Sequence, residues 1–305
     1  MHTSVLYQVS LDYLRPFSGG RYIDGTLGAG GHAAGILKAS HPEGQLLAFD
    51  RDADALALAR SHLAEYGSRA ILVHASYITM KEQVEKLQWD RVDGILLDLG
   101  LSSMQLDNRE RGFSFRQAAP LDMRFDQKGP GQTAADLVNE LPEDDLADLI
   151  YEFGEEHRSR RIARAIVAAR PVNDTAELAA IVAKATGTGK RSRIHPATKT
   201  FQALRIEVNQ ELAAVDTILP IALELLTSGG RLAVISFHSL EDRRVKQLFR
   251  QESRDCICPP GQIICDCGHR ASITRITRKP VVPSDDEIRV NSRARSAKLR
   301  VAEKL

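Results

Sequence analysis

The chain has 305 residues, 43% hydrophobic and 27% charged, the composition of an ordinary globular protein of one large domain or two modest ones. No apolar run approaches the ~20 residues of a membrane span, and Met1-His2-Thr3-Ser4-Val5 lacks the features of a secretion signal, so a cytoplasmic protein without membrane association is expected. With a formal net charge of only +1, binding of nucleic acid requires the basic residues to be gathered in one region.

Residues 5–15 carry apolar side chains at helical spacing, and a first strand follows over 20–24. It ends at Asp24 and enters Gly25-Thr26-Leu27-Gly28-Ala29-Gly30-Gly31-His32, a glycine-rich turn that opens a helix over 31–39. A strand, loop and helix in this order hold a ligand, because Gly28, Gly30 and Gly31 turn sharply and leave no side chain in its way. A second strand, 45–50, stops at Asp50, about 20 residues past the glycines, where a ribose-binding acid is expected. The alternative for Asp50 is a cap on the next helix. A helix over 53–65, a strand over 70–74, a helix over 79–88 and a strand over 92–98 continue the alternation. Such near-continuous apolar strands imply a parallel sheet buried on both faces.

The alternation then breaks. From Leu99 to about Arg205 there is a polar loop over 99–132, then helical patterns over 133–140, 143–153, 155–169, 174–185 and 197–209. Strand and helix resume at 229–238 and 240–252, and two strand candidates at 272–278 and 297–302 finish the sheet as an antiparallel hairpin across a polar segment, 279–294. The pattern predicts an α/β sheet interrupted after its fourth strand by an inserted all-helical domain. The core covers 1–105 and 206–305, and the insert, assigned to substrate recognition, covers 106–205.

Dinucleotides and S-adenosylmethionine both fit a glycine loop followed by an acid. The dinucleotide pattern G-x-G-x-x-G is matched only in part, with Ala33 at its last position. Asp24 decides between them: beside the loop a carboxylate repels a pyrophosphate and attracts the amino group of a methionine moiety. Asp98 closes the fourth strand, where open α/β sheets place reacting groups. Its carboxylate is able to bond the hydrogens of a nucleobase amine, whose lone pair is otherwise delocalised into the ring; a turn or helix cap is the other reading. Methylation at ring carbon normally uses a cysteine nucleophile, and no cysteine precedes Cys256.

The segments YIDGTLGAGGH, FDRD, GILLDLGLSSMQLD, ERGFSF with PLDMR, HPATKTFQALRIEVNQEL, ISFHSLEDRRVK and NSRARSAKLRVAE, in this order along almost the whole chain, resemble the bacterial 16S ribosomal RNA cytosine-N4 methyltransferase family, known as MraW or RsmH. The resemblance implies a Rossmann-like methyltransferase core with an inserted helical domain. It also implies S-adenosylmethionine as donor and a cytosine amine in the decoding region of 16S ribosomal RNA of the small subunit as acceptor, with no role for DNA. On the same basis Gly30, Gly31 and His32 meet the methionine end of the cofactor, Asp50 the ribose and Tyr77 the adenine, while Asp98 and Gln105 lie at the inner face of the site. Asp98 is the expected catalytic residue, although Leu-Gly-Leu follows it rather than the paired prolines and aromatic of DNA amino-methyltransferases. For His32 the residues alone allow a second reading, a helix-start residue with its ring in solvent.

Between Glu177 and Glu207 there is no acid, while Lys184, Lys190, Arg191, Arg193, Lys199 and Arg205 are basic, and His157 to Arg164 adds a further basic start to a helix. Such a patch attracts phosphates without reading sequence; a solvated helix face is the alternative. The loop 108–116 interleaves Arg109, Arg111 and Arg116 with Phe113 and Phe115, which either hold an unstacked base flat or plug the loop into a core. All four cysteines, Cys256, Cys258, Cys265 and Cys267, lie in one loop. Structural zinc and a reduced, metal-free loop are the two readings, and the metal-free loop is taken as the expectation. Two rivals to a methyltransferase are a nicotinamide-dependent oxidoreductase and a non-catalytic ribosome assembly factor on the same fold.

Overall fold

The computed structural model describes residues 4–187, 195–262 and 264–305. The chain divides into two compact units, Met1–Gly100 with Ala214–Leu305, and Leu101–Ala213. The boundaries fall before residue 105 and beyond residue 206, so the intervening unit is somewhat longer than the pattern predicts.

The first unit opens with α1 (Tyr7–Leu14), β1 (Arg21–Asp24), α2 (Gly31–Ala39), β2 (Gln45–Asp50), α3 (Ala53–His62), β3 (Ala70–His74), α4 (Met80–Lys86) and β4 (Val92–Asp98). These strands carry runs such as Leu46-Leu47-Ala48-Phe49 and Ile95-Leu96-Leu97, and alternate residues go to opposite faces. Ile23, Leu47, Phe49, Ile95, Leu97 and Val234 enter one core cluster. Tyr22, Leu46, Ala48, Leu96 and Ile235 enter the other. Both faces are buried, which is why the strands read as continuous apolar runs.

The second unit contains α5 (Ser103–Asp107), α6 (Ala134–Glu140), α7 (Glu143–Gly154), α8 (Ser159–Ala168), α9 (Thr175–Thr186) and α10 (Thr198–Asn209), around a core that includes Leu137, Ile150, Ile162, Leu178 and Leu204. Capping boxes start α5 at Ser102 and α6 at Thr133, and Asp174 caps α9. The expected helix over 155–169 begins later, at Ser159, because Glu155 takes a left-handed conformation that ends α7.

The chain continues through α11 (Glu211–Leu225), β5 (Leu226–Ser236), α12 (Ser239–Glu252), β6 (Ile273–Arg275), α13 (Asp285–Val290) and β7 (Lys298–Lys304). The pattern does not predict α11, which has Pro220, a residue unfavourable in a helix interior, inside it. Burial overrides the propensity: Val215, Ile218, Leu219 and Ala222 line one face and pack into the sheet's core. The polar segment 279–294 is likewise ordered, with α13 capped by Ser284.

The sheet order is β3-β2-β1-β4-β5-β7-β6, with the first five strands parallel and β7 antiparallel to both neighbours. β7 is held by more than its ladder. Arg231 on β5 pairs with Glu303 at 2.8 Å and donates to Tyr13 O at 2.6 Å, while Arg300 on β7 meets Asp242 on α12 at 2.6 and 3.2 Å. Strand succession reverses between β1 and β4, so the crevice beyond their carboxyl ends is where this sheet type binds ligands.

Candidate active site

Asp24 ends β1, Asp98 ends the adjacent β4, and β5, the next strand, delivers His238 and Glu241 just past its end. Backbone hydrogen bonds fix these ends together: Gly25 N–H donates to Leu96 O, and Leu99 N–H donates to Ile235 O, both at 2.9 Å. Thr26 makes the cross-link nearest the carboxylates, its N–H donating to Asp24 Oδ1 at 3.0 Å and its hydroxyl oxygen accepting from Asp98 N–H at 2.6 Å. Gly28 and Gly30 take φ of +52° and +83°, which shape the loop and which side chains with a Cβ adopt only with strain. Gly31 starts α2 and His32 follows it.

His32 is not in solvent. Its residue is 5% exposed, the ring stacks on Tyr7, and burial holds its pKa down at about 4. Nε2 lies 3.1 Å from Val5 O, which only accepts, so Nε2 carries the proton and Nδ1 presents a lone pair to Asp98 Oδ2 at 3.6 Å. This is not an ion pair, because the imidazole is neutral.

The carboxylates carry the electrostatic cost of the site. Asp24 is 1% exposed, and its pKa is pushed up to about 7, first by burial and then by the charge of Asp50 against its hydrogen bonds to Thr26. Asp98 is held well above the usual carboxylate range by burial, then by the charges of Asp24 and Glu241. Asp24 Oδ2 and Asp98 Oδ1 are buried and have no hydrogen-bond partner among the described residues. Burying acids without donors is expensive, and a ligand that brings positive charge and N–H groups relieves it.

Asp50 accepts from Gly28 N–H at 2.7 Å and from Asp52 N–H at 2.8 Å, tying the glycine loop to the end of β2. Asp52, not Asp50, caps α3, its side chain accepting from Asp54 N–H, so the capping alternative for Asp50 is not the arrangement found. Tyr77 lies just beyond β3, half-buried against the core, with its Cβ close to Gly25. Gln105 belongs to the second unit, where its side chain closes the capping box of α5 by accepting from Ser102 N–H at 3.1 Å.

Sequence reasoning missed Glu241. It is 1% exposed, accepts from Phe237 N–H at 2.9 Å, approaches His238 Nε2 at 3.2 Å, and adds its charge to that of Asp24 against Asp98. The signal was present in His238-Ser239-Leu240-Glu241, which has the three-residue spacing of a capping box, with a histidine in place of the usual serine or threonine.

The residues expected to meet RNA divide. Arg109 is exposed, and so is Lys199, whose amine nevertheless donates to Glu155 O at 2.7 Å and lies 3.8 Å from Glu156. Arg111 is corrected: it is 4% exposed and its guanidinium donates to the carbonyls of Arg124 and Phe125 at 3.2 and 2.6 Å, so the fold, not a phosphate, receives its hydrogen bonds. Phe113 is buried beside Phe125, and Phe115 packs on His195 and Phe201 at centroid distances of 4.6 and 4.9 Å, the plug arrangement rather than an open stacking platform. Asn209 on α10 secures the same segment, accepting from Phe125 N–H and donating to Met123 O, both at 2.7 Å. Arg205 is engaged by Glu211 at 2.7 and 2.9 Å. Lys190, Arg191 and Arg193 lie outside the described residues.

Strand order, an antiparallel β7 beside β5, a glycine loop after β1 and acids closing β1, β2 and β4 define an S-adenosylmethionine-dependent methyltransferase. Residues 1–305 match the MraW methylase family. The chain is 52% identical over 306 residues to the ribosomal RNA small subunit methyltransferase H of Dehalococcoides mccartyi, covering 100% of this chain and 86% of the relative. It is 51% identical over 307 residues to the protein of the same name from Thermomicrobium roseum, covering 100% and 94%. The chain belongs to the MraW methylase family.

Two predictions follow from burial. Unfolded Asp24 titrates near its ordinary value of 3.8 and folded Asp24 near 7, so folding binds a proton between these values and stability falls as pH rises through that window. Asp24→Asn therefore raises the Tm of the ligand-free protein at pH 8, by about 2–4 °C per kcal/mol relieved, and the gain vanishes toward pH 4; thermal melts at the two pH values read this. Arg111→Ala removes the two hydrogen bonds that its guanidinium donates to the partly buried Arg124 and Phe125 carbonyls and lowers stability by roughly 2–3 kcal/mol in urea unfolding, whereas a phosphate contact predicts unchanged stability and weaker RNA binding.

Proposed function

We propose that this protein transfers a methyl group from S-adenosylmethionine to the exocyclic 4-amino group of a cytidine in the decoding region of 16S ribosomal RNA, on the small subunit and in the cytoplasm. The observation that carries the reading is the pair of buried, unpartnered carboxylate oxygens, Asp24 Oδ2 and Asp98 Oδ1, at adjacent strand ends beside the glycine loop. Their chemistry fits a ligand with a sulfonium and an ammonium group better than one with a pyrophosphate, which Asp24 repels. The nicotinamide reading has no support in the family.

When bound, S-adenosylmethionine supplies an electrophilic methyl group. Gly30, Gly31 and His32 are assigned to its methionine end, with Asp24 attracting the ammonium; Asp50 is assigned to the ribose and Tyr77 to the adenine. Positive charge in the crevice lowers the raised pKa of Asp98 and favours its carboxylate. The Asp98 carboxylate, whose side chain is 23% exposed, is assigned to accept an N4–H of cytosine. That contact draws the nitrogen lone pair out of conjugation, and the carboxylate takes the proton the amine gives up as the new N–C bond forms. Arg109 and Lys199, with Lys190, Arg191 and Arg193, are assigned to sequence-independent contacts with RNA phosphates. Arg111, Phe113 and Phe115 support the loop that carries Arg109.

The test is transfer of labelled methyl to small subunits from cells lacking this activity, followed by nucleoside digestion. Label is expected in 4-methylcytidine. Intact cofactor binding with no transfer to subunits or naked 16S RNA overturns the reading in favour of a non-catalytic assembly factor. Asp98→Asn keeps an acceptor oxygen but cannot take the proton at neutral pH, so single-turnover methylation falls about 10²-fold or more. Wild-type turnover by this variant with cofactor bound refutes the role of Asp98.

A further inference from the structure

Between α12 and β6 runs a loop, 253–272, described except at residue 263, whose base is tied and whose described isoleucines are exposed. Ser272 N–H donates to Glu252 O and its hydroxyl to Glu252 Oε2, both at 2.8 Å. Beyond these bonds, Ile257 and Ile264 are 42% and 79% exposed. A segment with so little apolar burial needs another restraint to hold one conformation.

The four cysteine sulfurs nevertheless converge. Cys258 and Cys265 Sγ lie 3.9 Å apart, Cys265 and Cys267 Sγ 3.6 Å, and Cys267 and Cys256 Sγ 3.9 Å. All four fall within 4.8 Å of one another, and none is in a disulfide. Four thiolates at the zinc–sulfur distance of about 2.3 Å in a tetrahedron stand about 3.8 Å apart, close to the three separations found. The cluster is compact enough to surround a single ion. Backbone amides supply the outer contacts that thiolate sites use: Cys258 N–H points at Cys256 Sγ at 3.4 Å and Ile257 N–H at Cys267 Sγ at 3.5 Å. Pro259-Pro260-Gly261, with Gly261 at φ +95°, reverses the chain so that one C-x-C pair faces the other.

We propose that Cys256, Cys258, Cys265 and Cys267 form a structural Cys₄ site for one zinc ion that staples this loop. Four soft, charged ligands in a closed tetrahedron select zinc among the divalent ions and leave no open position for catalysis. Binding displaces the four thiol protons to solvent as four zinc–sulfur bonds form.

The full-length protein, purified without chelator or immobilised metal, is expected to contain about one zinc per chain, and Cys265→Ser/Cys267→Ser less than about 0.1. Wild-type protein stripped under reducing conditions is expected to take up one cobalt(II) with intense thiolate-to-cobalt absorption, a readout that does not depend on the variant folding. Zinc regained from solution slows proteolytic cleavage within 253–272. Wild-type protein that contains no zinc and takes up no cobalt while its four thiols stay titratable overturns the proposal. Iron in place of zinc, or an intact mass showing disulfides in freshly isolated protein, does the same. None of these measurements involves methyl transfer.

Discussion

The constraint on which the rest of this structure depends is the removal of several carboxylates from water at one edge of a sheet. Asp24, Asp98 and Glu241 stand at the ends of β1, β4 and β5 or just beyond, where neighbouring strands bring them together. Burial raises the pKa values of Asp24 and Asp98, and neighbouring charges, Asp50 on Asp24 and then Asp24 and Glu241 on Asp98, add to it because they are weakly screened in the protein interior. Glu241 spends its oxygens on Phe237 and His238. Asp24 and Asp98 each keep an oxygen without a partner among the described residues, so the site is electrostatically incomplete in a way that a cationic ligand completes.

The surrounding architecture keeps that arrangement from relaxing. Thr26 binds to both Asp24 and Asp98 N–H, and apolar layers on both faces prevent β1 and β4 from separating. His32 is neutral because it is buried, so it approaches Asp98 without neutralising it. Farther out, the Arg231–Glu303 and Arg300–Asp242 pairs lock the antiparallel β7 to β5 and α12. With one partner removed, the other charge is left poorly solvated, so these pairs specify the edge of the sheet as well as hold it.

The second unit uses its polar residues differently. Arg111 and Asn209 look like surface groups in a list of residues, yet both satisfy carbonyls or amides of the segment 123–125. An irregular segment that leaves water must recruit side chains for its backbone groups. The basic residues that stay at the surface are therefore fewer than their number in the sequence suggests, with Arg109 and Lys184 among the exposed ones.

What the sequence by itself determined is whatever depends on local periodicity and local chemistry. β2, β3, β4 and α2 have the limits that apolar runs and the glycine turn predict, because a parallel strand covered by helices carries an unbroken apolar run, even in β3, which is only half-buried at the sheet's edge. The ordered motifs likewise determined the family. What only the tertiary structure decided is which polar groups lose water and which meet. The inward turn of Arg111, the burial of His32, the place of Glu241 beside Asp98, the helix carrying Pro220 and the meeting of four sulfurs all follow from contacts between distant segments. A side chain's charge state and partners depend on the solvent it has lost, and that loss is fixed by the assembled fold rather than by neighbours along the chain.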